Sequence, residues 1–318
     1  MEIAILAGGI GAAKFIEGML HEHPPGKITV IVNVGDDSEM HGLYICPDFD
    51  IISYTIAGLI DPVKRWGIEG ETFNCLSMLK KYTSQYTWFN LGDKDLGTHI
   101  FRTACLKNGD SLSEAASKIL DGLGIEMKIL PCTNDFLRTR IKTDSKVLEF
   151  EEYFVKERTN PVLKEIIFEG AKDAKASEEV LSSLNQAELI IIAPSNPYLS
   201  IDPILSISSI RQILQEKKDN VVFISPIVDG NAIKGPTAKV MKEMDIEPSC
   251  ISVASHYNDI SSIAVIDKQD KQHAEAIKDQ GYIVHVFDTI MKNIDKKRHL
   301  ARFVLNILKN KSNMDRTT

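Results

Sequence analysis

Glycines beside carboxylates are the chemistry-bearing feature of this sequence. Gly8, Gly9 and Gly11 follow the apolar run Ile3, Ala4, Ile5, Leu6 and precede a helical pattern through Phe15, Ile16, Met19 and Leu20. Glycines let the backbone pass close to an anion, and the N–H groups that open a helix point toward it. A second apolar run, Ile28 to Val32, ends in Asn33, Gly35, Asp36 and Asp37. Carboxylates repel a phosphate unless a divalent cation bridges the two. The pair of loops therefore reads as a metal-assisted nucleotide or diphosphate site. The glycine loop is neither common fingerprint: Lys14 stands where the dinucleotide pattern has a third glycine, and no Gly-Lys-Ser/Thr of a Walker loop occurs. A tight strand-to-helix turn without ligand is the plainer reading of the glycines alone.

Further candidates lie downstream. CPDFD brings Asp48 and Asp50 to the start of a helix expected from near Asp50 to before Pro62. Capping its own helix and contacting a metal or ligand both stand open for Asp50. TWFNLGDKDLGTH reads as a short strand, then Gly92, Asp93, Lys94 and Asp95, then a helix with Ile100, Phe101 and Ala104. Asp93 and Asp95 also suit capping. APSNP carries Ser195 and Asn196, neutral donors between two prolines. Trp66, Trp88 and Phe89 suit stacking on a flat ring or plain core packing. His41, His99 and His256 show no metal spacing, and His99 is expected on its helix surface or behind the contacting residues.

The elements that position these residues alternate strand and helix on either side of a period-two stretch. MKILP, LRTRIKT, KVLEFEEYFV and LKEIIFEG read as consecutive strands. The expected architecture is a Rossmann-like, doubly wound, mostly parallel α/β sheet over residues 1–126 and 185–318, with a small β-rich insertion or lid at 127–184. In such sheets ligands bind beyond the carboxyl ends of the strands. Five loops expected there carry unusual polar chemistry: AGGIG, NVGDD, NLGDKD, APSNP and SPIVDG. The closing basic amphipathic helix, with Leu300, Phe303, Val304, Ile307 and Leu308, reads as covering the core or a dimer seam.

Bulk properties narrow the class. The chain has 318 residues with a net charge of −7, which speaks against a nucleic-acid groove or an anionic membrane surface. Five scattered cysteines without a CxxC pair suit reduced thiols in the cytoplasm. The N-terminus enters a strand directly rather than a secretory signal, and no apolar run approaches bilayer length.

Together, GGIGAAK, VNVGDD, CPDFD, GLIDPVKRWGIEGET, WFNLGDKDLGTH, LPCTND, EYFV, APSNPYLSIDPIL and SPIVDGNAIKGP resemble the 2-phospho-L-lactate transferase family. The resemblance implies a transferase of coenzyme F-420 biosynthesis, a Rossmann-like core and a homodimer. It implies transfer of a phospholactyl-type group from a guanosine diphosphate adduct to the ribityl hydroxyl of the deazaflavin Fo, with magnesium, releasing GMP. Within it, Asp36 and Asp50 are expected to hold Mg2+, with Asp37 and Asp48 as less favoured neighbours, and Lys94 to act on the acceptor or leaving oxygen. Gly8, Gly9, Gly11, Lys14, Asn33, Asp93, Asp95, Ser195 and Asn196 complete the expected substrate site. The sequence departs from the family pattern at Ile51, where threonine is usual, and at Ala12-Ala13. Two other readings are a non-catalytic nucleotide-binding regulator and a dinucleotide-dependent oxidoreductase. Lys14 and the doubled Asp36-Asp37 count against the latter.

Overall fold

The strands that read as apolar runs form one parallel sheet, and their continuous hydrophobicity matches a sheet covered on both faces. A computed structural model describes residues 1–232 and 235–314; Ile233 and Lys234 of SPIVDGNAIKGP and the Leu308 side chain lie outside the described set. Seven parallel strands make the sheet: Ile3–Ala7, Ile28–Val32, Lys128–Pro131, Leu189–Ile192, Val221–Ile224, Ile263–Asp267 and Ile283–Phe287. Numbered in that sequence, their spatial order is 3-2-1-4-5-6-7. The order reverses between Ile3–Ala7 and Leu189–Ile192, which pair in register from Ile3 with Leu189 to Leu6 with Ile192. Such a reversal opens a crevice at the carboxyl edge. Every residue of both strands is buried, and each fully buried Ile or Leu there contributes about 1.5–3 kcal/mol.

Helix Gly9–Leu20 leaves the first strand and packs against Pro47–Ile56 and the C-terminal helix Ile294–Met314. Gly18 permits the second crossing: a Cβ there would meet the Lys297 carbonyl oxygen at 2.4 Å. The Lys297 ammonium, itself buried, reaches Glu17 at 2.5 Å, and Arg298 and Arg302 both hold Glu22. The closing helix thus covers the core, as its apolar stripe suggests.

Within 127–184, Arg138–Thr143, Val147–Glu149 and Leu163–Glu169 form a separate antiparallel sheet. Three local expectations differ. Lys128–Pro131 joins the central sheet rather than the insertion, pairing with Thr29–Val32. The run EEYFV winds into a tight helical turn, Glu152–Lys156, instead of extending the strand before it. Thr87–Asn90 forms no strand; Trp88 and Phe89 pack beside Met40, Leu91 and Leu96 in a small satellite core. Among the described residues no helix is long and apolar enough to cross a membrane.

Candidate active site

The reversal point brings two loops into direct contact. The Ser195 hydroxyl donates to the Gly8 carbonyl at 2.7 Å and accepts from the Gly8 N–H at 3.3 Å. Gly11 allows this approach, since a Cβ would lie 2.2 Å from the Pro194 carbonyl oxygen. Gly9, at φ +69°, turns the chain into its helix. Asn196 spends its Oδ1 on the N–H groups of Tyr198 and Leu199, at 3.0 and 3.2 Å, capping the turn that follows. Its buried Nδ2 has no partner among the described residues, and the residue lines the crevice.

Four of the five polar loops follow sheet strands as expected; NLGDKD does not, because no strand precedes it. The loops surround a cavity of about 650 Å³ lined by Gly8, Gly9, Gly11, Lys14, Asp36, Asp48, Asp50, Asp95, Ser195 and Asn196. Its apolar wall includes Trp66, Phe89, Phe150 and Phe154. A second cavity of about 660 Å³ adjoins it, sharing Asp36, Phe150 and Glu151 and lined further by Asp37 and Arg138. Arg138 is held between the rings of Phe136 and Tyr44, at 5.2 and 5.3 Å.

Asp48 is tied to both glycine and acidic loops. It accepts from the Gly9 N–H at 2.6 Å and from the Asn33 amide at 3.0 Å, while Asn33 accepts from the Gly35 N–H at 2.7 Å. Asp36 is 5% exposed, and its Oδ1 has no hydrogen-bond partner among the described residues. Burial, then the charges of Asp48 and Glu151, push the Asp36 carboxyl well above its ordinary range. Burial likewise raises Asp48 to about 6, against its bonds from Asn33 and Gly9. Asp37 is raised to about 7 by burial, with Arg138 and Arg102 opposing, and Glu151 to about 8 by burial and its acidic neighbours. A concentration of carboxylates that cannot all ionise cheaply, with one oxygen unpartnered, fits a divalent cation in contact with Asp36.

Asp50 sits in the first turn of Pro47–Ile56 but does not cap it: both its oxygens face the buried Arg102 guanidinium of helix Asp93–Lys107. Arg102 also donates to His99 Nδ1 at 3.3 Å, and His99 Nε2 lies 3.3 Å from an Asp95 oxygen. Tyr54 donates to the same Asp95 oxygen at 2.7 Å. His99 is 1% exposed, so the expectation of a helix-surface position is corrected. Ligand atoms of Asp50, Asp95 and His99 lie within 4.8 Å of one another, the spacing of a metal site, but Arg102 already supplies the positive charge there.

Two expected residues face elsewhere. Asp93 caps helix Asn74–Tyr82, accepting from the N–H groups of Asn74 and Cys75, both at 3.0 Å. The Lys94 ammonium donates to the Glu69 carbonyl at 2.7 Å, on the segment carrying the cavity residues Trp66 and Gly67. Sequence reading missed Arg102 and Glu151 outright. IFRTACLK gives no sign that its arginine turns inward, and Glu151 is one of four acids within residues 149–157.

A model of the 2-phospho-L-lactate transferase CofD family matches residues 3–305. The chain belongs to that family. A 2-phospho-L-lactate transferase from Methanocaldococcus jannaschii is 36% identical over 307 residues, covering 95% of this chain and 97% of that one. A phosphoenolpyruvate transferase from Streptomyces griseus is 35% identical, covering 96% and 98%. Among solved structures, a UPF0052-family protein from Bacillus halodurans aligns with a TM-score of 0.62 at 14% identity, covering 96% and 98%, a likeness of fold. Family members are enzymes, and the 2-phospho-L-lactate transferase family match spans both the central sheet and the insertion.

Proposed function

We propose that this protein transfers a phospholactyl-type group, carrying lactate, enolpyruvate or glycerate, from a guanosine diphosphate adduct to the ribityl hydroxyl of Fo in coenzyme F-420 biosynthesis, releasing GMP. The observation that carries this reading is one cavity of about 650 Å³ bounded by the glycine loop, buried carboxylates and an aromatic wall, in a chain of this family. Diphosphate cleavage needs positioning and charge neutralisation more than a covalent nucleophile.

The N–H groups opening helix Gly9–Leu20 after Gly9, whose own N–H is held by Asp48, bind the donor's phosphates, with the Asn196 amide beside them. The aromatic wall of Trp66, Phe89 and Phe154 takes the flat deazaflavin. Asp36 and Asp50 are the carboxylates that would hold Mg2+, Asp36 the more strongly because Arg102 already balances Asp50. When bound, the ion neutralises charge on the diphosphate as its bridging bond breaks. The Fo hydroxyl attacks the phosphorus bearing the lactyl-type group, and GMP leaves without a covalent enzyme intermediate. Lys94 acts through the segment it anchors, holding Glu69 and thereby the Trp66–Gly67 wall. The enzyme acts as a cytoplasmic homodimer, a setting suited to five free thiols.

Calorimetry with GDP, GMP and NAD tests the reading. Binding of the guanosine nucleotides without NAD is expected; NAD binding without GDP would return the oxidoreductase.

A further inference from the structure

The antiparallel insertion reaches the acidic loop at two points. The Thr139 N–H donates to the Gly35 carbonyl at 2.8 Å, and a Cβ on Gly35 would meet Thr139 Oγ1 at 2.4 Å. Beyond that contact the chain returns through Val147–Glu149 and places Glu151 at the junction of the two cavities. Glu151 is 5% exposed, and among the described residues no basic side chain pairs with it. Its electrostatic neighbours are Asp48 and Asp37, and its charge in turn bears on Asp36, whose Oδ1 is buried and unpartnered. A buried carboxylate surrounded by others is costly without a cation. The trio Asp50, Asp95 and His99 has such a cation in Arg102; on the Asp36 side Arg138 bears on Asp37, and among the described residues no ion pair reaches Asp36 or Glu151.

We infer that Glu151 completes a divalent-cation site with Asp36, so that cation binding locks the insertion onto the nucleotide loops. The inference rests on the transferase reading and adds to it a ligand from the insertion. Magnesium commonly takes one or two carboxylates together with phosphate oxygens and water, which one side chain from each element supplies.

The test uses Mn2+ as the probe cation, titrated into the full chain with GDP by calorimetry and by loss of the free-ion paramagnetic resonance signal. E151Q is expected to weaken Mn2+ binding by about tenfold or more while GDP alone binds as well as before. D144N, which removes an exposed insertion carboxylate paired with Lys164, is expected to leave Mn2+ binding unchanged. Hydrogen exchange on the wild type supplies a readout independent of the variant: Mn2+ with GDP is expected to slow exchange over residues 147–156. Unchanged Mn2+ affinity in E151Q, or unchanged exchange over 147–156, overturns the role of Glu151 alone. A wild type that binds GDP but no Mn2+ overturns it together with the metal assignment of the transferase reading.

Discussion

Arg102 and Asp50 meet inside the protein from two helices, each buried, with both carboxylate oxygens facing one guanidinium. Among the described residues Asp50 is the one carboxylate ion-paired with Arg102, and His99 lends Asp50 a second contact at 3.6 Å. Arg102→Ala should therefore strand a buried carboxylate and cost about 3–5 kcal/mol in urea unfolding. Removing Asp50 as well should cost less than the two single changes summed. Simple additivity would contradict the coupling.

The carboxylates differ in what they have left to offer a cation. Asp36 has an unpartnered oxygen, whereas Arg102 occupies Asp50. Asp36→Asn should weaken Mn2+ binding more than Asp50→Asn, while both should cut turnover by orders of magnitude. Calorimetric titration ranks them. A larger metal loss for Asp50→Asn would reverse the assignment.

Glycines make a paired prediction. Gly11→Ala drives a methyl into the Pro194 carbonyl, 2.2 Å away, so the contact between the two loops must open. A loss of about 1–3 kcal/mol in stability is expected, together with weaker GDP binding. Gly97→Ala, in the exposed middle of helix Asp93–Lys107 with nothing within 4 Å, should instead stabilise by about 0.5–1 kcal/mol. Thermal and urea unfolding of the two variants decide.

Lys94 anchors the Glu69 carbonyl beside the aromatic wall rather than lining the cavity itself. Lys94→Met should loosen that wall and weaken Fo binding while GDP binding is retained. Calorimetry with each ligand separately checks it, and equal loss for both would count against the assignment.

What could be read from the sequence follows from the range of the signals. The apolar runs Ile3–Ala7, Ile28–Val32 and Leu189–Ile192 announce buried parallel strands, because period and hydrophobicity are local properties. The glycine and acidic loops were legible as chemistry for the same reason, and the edge on which they meet follows from topology. Partners across long separations carried no such mark. Asp50 with Arg102 lies fifty-two residues apart, and a surface-like helical pattern hides which arginine turns inward. Glu151 was masked by neighbouring acids in EFEEYFV, and the Trp88–Phe89 run imitates a strand while packing in a satellite core. Nothing local to CPDFD marks the partners of Asp48, because Gly9 and Asn33 belong to two other loops.

Turnover with defined substrates tests the central claim most directly. Purified protein is mixed with Fo, Mg2+ and synthetic guanosine diphosphate adducts of lactate, enolpyruvate and glycerate, and GMP and deazaflavin phosphodiester are quantified together. At least one adduct should give one GMP per phosphodiester formed, with no GMP when Fo is omitted and no reaction with chelator. A stoichiometric burst of GMP without Fo would contradict direct transfer, and failure to consume any of the three adducts with Fo would contradict the transferase itself.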